Sequence, residues 1–191
     1  MKTISSLALI ALSAAALSFS GIAMAQQKLI PAQSEITFVT KQMGVPLEGH
    51  FKKFDALISF DTAKPDAAKI GFTVDSGSAT LGSPESDAEL PKAAWFNVAK
   101  FPQATFQSGS VKALGSGKYQ VSGKLTIKGN VKDVDVPVTL TQAGAVTTAN
   151  GQFVLKRLAY KIGEGEWADT SMVADDVQVK FKLAISGMGK L

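Results

Sequence analysis

Apolar and polar residues alternate along most of the chain, most regularly over residues 117–129. The apolar or small positions of this run share one face, and they are Tyr119, Val121, Gly123, Leu125 and Ile127. A period of two held over ten or more residues is typical of a half-buried β-strand. The Gly129-Asn130 pair follows, and residues 131–141 resume the alternation with a valine-rich face. The two runs and the short link between them predict a β-hairpin.

Six further runs show the same period less regularly, and turn-forming Gly, Pro, Asn and Asp residues separate them. They cover residues 34–40, 51–61, 68–78, 103–114, 151–162 and 175–186. None has the continuous apolar character of a buried parallel strand, and no long helical pattern intervenes. The chain is therefore predicted to be all-β and antiparallel, with roughly eight strands. A closed barrel and a two-sheet sandwich both accommodate eight such strands, and the pattern alone does not choose between them.

One segment breaks the alternation. Its sequence, ESDAELPKAAWFNVAKFPQATFQS, starts at Glu85 and contains Trp95-Phe96, Phe101-Pro102 and Phe106. Its opening is helix-like, so a short helical insert is predicted near residues 85–100. The aromatics of such an insert either close one end of a barrel or form ordinary core beneath a long loop.

The first 25 residues have the composition of an export signal. Lys2 is their only charged residue, an apolar run follows from about Leu7 to Phe19, and the segment ends Ala23-Met24-Ala25. This run is shorter than the ~20 apolar residues that a membrane-spanning helix needs. Residues 1–25 are therefore predicted to be a cleaved secretory signal peptide, and residues 26–191 a single domain. The absence of cysteine is compatible with the bacterial periplasm, which is the predicted location.

The chemistry-bearing residues are few. The net charge is +4, with basic residues spread along the chain, so a nucleic-acid-binding face is not expected. The chain has no cysteine, a single histidine (His50) and no G-x-S-x-G motif, so we predict neither a catalytic nucleophile nor a metal site. We predict that His50 is a surface residue at a strand edge. Five acidic residues between Glu164 and Asp176 surround Trp167, and they form either a solvated loop or, less favourably, a paired-carboxylate hydrolase site.

Four stretches of the chain, taken together, resemble one protein family. They are EITFVTKQMGVPLEGHFKKFDALISFD, the aromatic insert, LTIKGNVKDVDVPVTL and GEGEWADTSMVADDVQVKFKLAI. In this order, over nearly all of residues 26–191, they resemble the YceI-like family of polyisoprenoid-binding proteins. Members often carry a histidine before Met-Gly, and Arg-Asp and His-Leu pairs in the insert. This chain has Lys41-Gln42, Ser86-Asp87 and Glu89-Leu90 at those positions.

The resemblance implies a lipocalin-like antiparallel barrel that binds a long polyisoprenoid, such as an isoprenoid quinone, in its apolar interior. The protein would be a periplasmic binding protein for transport, storage or sequestration, not an enzyme, with no cofactor other than the bound lipid. The expected lining residues are Phe38, Phe54, Phe60, Phe72, Trp95, Phe96, Phe106, Leu125, Ile127, Trp167, Val179 and Phe181.

Two alternatives stay open at this point: a ligand-free structural or stress-protective barrel, and a hydrolase that uses the acidic loop. Gly71 and Gly123, inside predicted strands, favour a hollow barrel because glycine leaves room beside the backbone. The expected partner is the lipid, with transient membrane contact but no stable membrane insertion. The oligomeric state is open, with a dimer as one option.

Overall fold

A computed structural model describes residues 26–191 of the chain, so the predicted signal peptide lies outside the described residues. The described part contains eleven β-strands and one short α-helix. The strands are β1 (Lys28–Leu29), β2 (Glu35–Gln42), β3 (Val45–Phe51), β4 (Phe54–Ser59), β5 (Lys69–Asp75), β6 (Ala79–Thr80), β7 (Gln103–Gly115), β8 (Lys118–Ile127), β9 (Asn130–Ala143), β10 (Val146–Lys156) and β11 (Asp176–Ser186). The helix, α1, covers Pro84–Glu89, and single 3-10 turns lie at Pro31–Gln33, Pro65–Ala67, Ser76–Ser78, Arg157–Tyr160 and Gly165–Ala168.

Eight of the strands form a closed antiparallel barrel in the order β1-β4-β5-β7-β8-β9-β10-β11, and β1 pairs back onto β11. The remaining strands, β2, β3 and β6, extend from the side of β11. The predicted all-β antiparallel barrel is confirmed, and the sandwich alternative is excluded because one sheet runs around the molecule.

The closing strand β1 is only two residues long. Lys28 pairs with Leu57 of β4 on one side and with Ser186 of β11 on the other. The side chain of Gln27 extends this pairing, since its amide donates to the Phe60 carbonyl at 2.6 Å and its oxygen accepts from the Phe60 N–H at 2.9 Å. Where β1 ends, β2 becomes the neighbour of β11 and pairs with its residues Gln178 to Lys182.

The hairpin predicted from the most regular alternation is β8–β9. Ile127 pairs with Asn130, so the two turn residues are Lys128 and Gly129, one position before the predicted Gly129-Asn130 pair. Both have positive φ values, 50° and 74°, which is the conformation of a type I′ turn. Further along, Val121 pairs with Val136, so the predicted inward faces of the two strands coincide.

The structure corrects three details of the sequence-based prediction. Strand β3 was not predicted, since Pro46 and Gly49 interrupt its apolar pattern. The run 151–162 leaves the sheet after Lys156 and continues as the 3-10 turn of Arg157–Tyr160. In the insert only Pro84–Glu89 is α-helical; Ser83 caps it by accepting a hydrogen bond from the Ser86 N–H, and turns follow.

Candidate functional site

A cavity of about 340 Å³ occupies the barrel interior, and nearly all the side chains that line it are apolar. Eleven of the twelve residues predicted to line it do so: Phe38, Phe60, Phe72, Trp95, Phe96, Phe106, Leu125, Ile127, Trp167, Val179 and Phe181. Phe54 does not; it is the first residue of β4 and packs onto a core cluster that includes Ile36 and Leu183. Whether the lining residues contact a ligand stays a prediction.

Three phenylalanine rings in the cavity wall lie over glycines of the neighbouring strand. The pairs are Phe38 with Gly49, Phe106 with Gly123, and Phe181 with Gly151. A Cβ atom on any of these glycines would come closer than 3.0 Å to the Cζ atom of the ring. The glycines therefore leave room for the rings along the wall, so that the rings do not project across the lumen.

Only one of the two glycines singled out in the sequence has this role. Gly123 belongs to the Phe106 pair, as expected for a hollow barrel. Gly71 lies between the cavity-lining residues Ile70 and Phe72, and a Cβ atom there would meet the exposed side chain of Gln107 instead. Gly71 therefore faces outward and makes no room in the lumen.

The insert and one loop together cover one end of the barrel, and we refer to residues 84–101 and 157–175 as the lid. Leu90 and Phe96 of the insert are buried in one cluster with Ile127 at the end of β8 and with Ile162 of the loop. The N–H groups of Gly163 and Glu164 both donate to the Ala94 carbonyl, at 2.8 and 3.0 Å. The predicted aromatic insert thus lies across the barrel end.

Two tryptophans of the lid face the cavity together. The ring centroids of Trp95 and Trp167 are 5.5 Å apart, and the ring planes are inclined by 48°. The Nε1 atom of Trp95 is buried and has no hydrogen-bond partner; it is the only such side-chain nitrogen or oxygen among the described residues. An unpaired buried donor is unfavourable and is rare in folded proteins.

A buried arginine organises the lid loop. The side chain of Arg157 is 1% exposed, and its guanidinium uses all five N–H donors on backbone carbonyls at 2.7–3.0 Å. The acceptors are Ile162, Gly163, Trp167, Val173 and Ala174. Burial lowers the pKa of Arg157, yet an arginine keeps its charge in proteins. Arg157 was not among the residues predicted from the sequence.

Lys128, in the β8–β9 turn, ties the two parts of the lid together. Its ammonium group donates to the carbonyls of Ala93 in the insert, at 2.7 Å, and Lys161 in the loop, at 2.6 Å. It also donates to the Glu164 carboxylate at 2.9 Å, and this hydrogen bond lowers the pKa of Glu164. Lys128 is therefore a structural anchor with a saturated ammonium group.

A few polar side chains line the cavity, and most of them lie near the lid. They are Thr40, Gln42, Ser86, Glu89, Tyr119 and Arg157. Gln42, Ser86 and Glu89 occupy the positions at which the sequence departs from the family pattern. Glu89 also forms an ion pair with Lys92, and its own side chain is 43% exposed. The opposite end of the cavity is closed by Phe60 and Tyr119, whose rings meet edge to face with centroids 5.1 Å apart.

The acidic loop has structural roles at four of its five carboxylates. Besides Glu164, Asp169 accepts hydrogen bonds from Ser171, Asp175 accepts from the Leu158 N–H at 3.0 Å, and Asp176 pairs with Lys156 at 2.5 Å. None of the five lines the cavity. The structure thus gives no pair of carboxylates facing a common substrate site.

Two further features concern the described residues alone. No three His, Asp or Glu side chains of residues 26–191 come together as a metal site would require. In the same range no helix has the length and apolar character needed to cross a bilayer. His50 is exposed on β3, where it pairs with Thr37 and Thr80.

Comparison with known proteins identifies the family. The sequence model of the YceI-like domain family matches residues 28–185 of this chain. The UPF0312 protein of Yersinia pestis is 37% identical over 161 residues, which cover 78% of this chain and 83% of the relative. The UPF0312 protein of Ectopseudomonas mendocina is 38% identical over 118 residues, and the match spans only 62% of that protein and 60% of this chain.

Two solved structures share the fold. Burkholderia cenocepacia BcnA superposes with a TM-score of 0.79 at 46% identity, over 82% of this chain and 98% of that one. A polyisoprenoid-binding domain from Saccharophagus degradans has a TM-score of 0.68 at 16% identity, over 85% of this chain and 98% of its own. The barrel, the insert and these matches agree, and the chain belongs to the YceI-like family.

Proposed function

We propose that this protein binds one polyisoprenoid lipid, such as an isoprenoid quinone, inside the barrel. The observation that carries the proposal is the continuous apolar cavity, whose wall rings lie over glycines and leave the lumen open. A protein selected only for stability gains from a filled core, since interiors normally pack to the density of organic crystals. The family relationship and the name of the Saccharophagus degradans domain support a lipid as the occupant.

The shape of the cavity suits an elongated chain. Its lining runs along β8 from Tyr119 to Ile127, and eight residues of a strand extend over roughly 27 Å. Each buried methylene contributes ~0.8 kcal/mol. Many weak contacts therefore share the binding energy, and the affinity should fall gradually as the chain is shortened.

We further propose that the protein works in the periplasm, as a carrier, store or sequestering protein for this lipid. The export signal predicted in residues 1–25 supports this location. Among residues 26–191, the side chains that line the cavity are mostly apolar and include no nucleophile–base pair, which favours binding over catalysis.

An exposed apolar patch next to the lid supports transient contact with a membrane. Met43, Val45 and Met172 are 65%, 66% and 43% exposed. The Met43 N–H donates to the Met172 carbonyl at 2.8 Å, so the side chains of these two residues share one surface. The adjoining residues Gln42 and Val173 line the cavity. The patch therefore adjoins the cavity wall at the lid end, where a lipid leaving a bilayer would meet the barrel.

The competing hypothesis is a structural barrel that binds no ligand. One substitution distinguishes this hypothesis from lipid binding. Leu125 lines the cavity near the turn end of the β8–β9 hairpin. In a lumen that takes up water when the lipid is absent, Leu125→Glu should give soluble β-rich protein without bound isoprenoid. In a filled core the same carboxylate would be buried unpaired and should prevent folding.

The matched control is Val131→Glu, because Val131 lies on the same hairpin and is 51% exposed on the outside. This variant should fold and retain its lipid. Circular dichroism and native mass spectrometry of both variants give the answer. A Leu125→Glu protein that carries wild-type amounts of lipid would refute binding in the lumen.

A further inference from the structure

We propose that Met43 and Met172 form a reversible oxidation site, at which a hydroperoxide converts both thioethers to sulfoxides and thereby weakens the contact of the protein with a membrane. The inference rests on the proposed function, since the two side chains belong to the exposed apolar patch next to the lid. Three observations lead to it: the unusual backbone conformation of Met43, the exposure of both methionines, and the lack of cysteine in the chain.

Met43 occupies a turn position that disfavours methionine. Gln42 pairs with Val45 where β2 meets β3. The two residues between them, Met43 and Gly44, have φ values of 49° and 80°, which are those of a type I′ turn. Asparagine, aspartate and glycine are favoured in such turns, because other side chains are strained at positive φ. Lys128 has the corresponding position in the β8–β9 turn, where its side chain anchors the lid. The strain at Met43 likewise points to a role for its side chain.

This role is not core packing. Met43 is 65% exposed and Met172 is 43% exposed, and neither belongs to a buried cluster of the described residues. The backbone fixes the position of the pair instead, since the Met43 N–H donates to the Met172 carbonyl at 2.8 Å. Next to this bond, the Ala174 N–H donates to the Lys41 carbonyl, also at 2.8 Å. A change in the polarity of the two side chains should therefore alter the surface and leave the fold intact.

The two methionines are the accessible sulfur atoms of the domain. The chain has no cysteine, and residues 26–191 contain three methionines. Met188 lines the cavity and packs against two buried clusters, whereas Met43 and Met172 are open to solvent. Exposed methionines are commonly oxidised to the sulfoxide, and reductases reverse the reaction. Oxidation should therefore begin at Met43 and Met172.

The reaction requires only a hydroperoxide, a group that unsaturated lipids carry after they react with oxygen. A lone pair of the methionine sulfur attacks the terminal peroxide oxygen, and the S–O bond forms as the O–O bond breaks. The proton of the transferred oxygen passes to the departing oxygen. Sulfur is oxidised by two electrons, and the hydroperoxide is reduced to an alcohol, or to water when it is hydrogen peroxide.

The product changes the character of the patch. A thioether is apolar, whereas a sulfoxide is polar and accepts hydrogen bonds. Contact with a bilayer removes water from the patch, and a polar group that loses its water without gaining a partner is unfavourable. After oxidation Val45 would be the one apolar residue left of the three that form the patch. The contact should weaken and lipid exchange should slow, while the cavity itself is unchanged.

The rate of lipid uptake tests the proposal. Delipidated protein is treated with hydrogen peroxide, the peroxide is removed with catalase, and peptide mass spectrometry locates the oxidised residues. Vesicles of phosphatidylethanolamine and phosphatidylglycerol that contain an isoprenoid quinone are then added, and native mass spectrometry follows the loading. We expect Met43 and Met172 to be oxidised before Met188, and uptake to slow about tenfold with the same final occupancy. Methionine sulfoxide reductases should restore the rate.

Two variants assign the effect to the two sulfur atoms, and each is compared with itself before and after treatment. Met43→Leu/Met172→Leu keeps apolar side chains of similar volume that peroxide does not oxidise. Peroxide should therefore leave its rate of uptake unchanged. Met188→Leu removes the shielded thioether, and peroxide should slow its uptake by the same factor as in the wild-type protein.

The outcomes separate this inference from the proposed function. If the untreated protein takes up lipid and oxidation of Met43 and Met172 leaves the rate unchanged, the inference is overturned and lipid binding stands. Oxidation that begins at Met188, or a slowing that persists in Met43→Leu/Met172→Leu, would also overturn the inference. An untreated protein that takes up no lipid from the vesicles would overturn the proposed function together with the inference.

Discussion

Replacing Gly151 by alanine should push a wall ring into the lumen. Gly151 in β10 pairs with Phe181 in β11, and a Cβ atom at this position would overlap the Phe181 ring, with Cε1 at 2.8 Å. The Pro137 carbonyl oxygen of β9 would also be 2.8 Å away. The backbone of Gly151 does not have a positive φ, so alanine is compatible with its conformation and the effect is purely steric.

The expected destabilisation follows from two opposing terms. Overpacking a well-packed site costs ~1–3 kcal/mol. The loss of glycine flexibility in the unfolded chain offsets about 0.4–1 kcal/mol of this. The net loss should be about 1–2 kcal/mol, which corresponds to a decrease in Tm of roughly 2–8 °C for a domain of this size. The displaced ring should also reduce the amount of lipid that co-purifies.

A double-mutant cycle isolates the ring. In Gly151→Ala/Phe181→Leu the clash with the ring is absent, so adding the alanine should cost less than it does in the wild-type background. Thermal unfolding gives the stabilities, and native mass spectrometry gives the lipid content. An unchanged Tm together with unchanged lipid content in Gly151→Ala would refute the account. A loss of stability on Gly151→Ala that is equally large with and without the Phe181 ring would also refute it.

Three further predictions concern the lid and the exposed patch. Arg157→Met leaves five buried carbonyls without their donor and should destabilise the protein by ~3 kcal/mol or more in urea unfolding; a change below 1 kcal/mol would contradict the role of Arg157. The hydrogen bond from Lys128 lowers the pKa of Glu164 from its ordinary 4.5, so its stabilisation is complete above that pH and disappears as the pH falls through the lowered value. The stability difference between wild type and Glu164→Gln should therefore vanish in acid, and a difference that persists there would disprove the ionic contribution. Met43→Ser/Met172→Ser should slow lipid uptake from vesicles without changing the final occupancy, and an unchanged rate would exclude this patch as the contact.

The barrel strands were predictable because each has one face toward solvent and one toward the barrel interior, which gives the sequence a polar–apolar period of two. The β8–β9 hairpin shows this best: its inward faces were predicted, and its turn lies one residue earlier than predicted. The closure of the barrel was not predictable from periodicity. It depends on the two residues of β1 and on the side chain of Gln27, and these are too few to give a pattern.

Most residues of the cavity wall could be predicted, because the residues on the inward face of each predicted strand line the lumen once the barrel closes. Phe54 is the exception: it shares the alternation of Ile58 and Phe60, but as the first residue of β4 it packs onto the core cluster and does not itself line the cavity. Gly49 and Gly151 were missed because Gly49 lies in the unpredicted strand β3 and Gly151 stands at the start of the predicted run 151–162, so neither appeared inside a predicted strand. Arg157 was also missed, although it continues the inward alternation of Phe153 and Leu155 while the exposed Lys156 does not, and this was a detectable signal.

The most direct test of the central claim is native mass spectrometry of the protein purified from its own host, with organic extraction of whatever is bound. The account predicts one isoprenoid lipid per chain, released intact by the solvent and identified by the regular spacing of its isoprene fragments. A protein that is empty in its own host, or that carries a mixture of unrelated lipids in no fixed ratio, would contradict it.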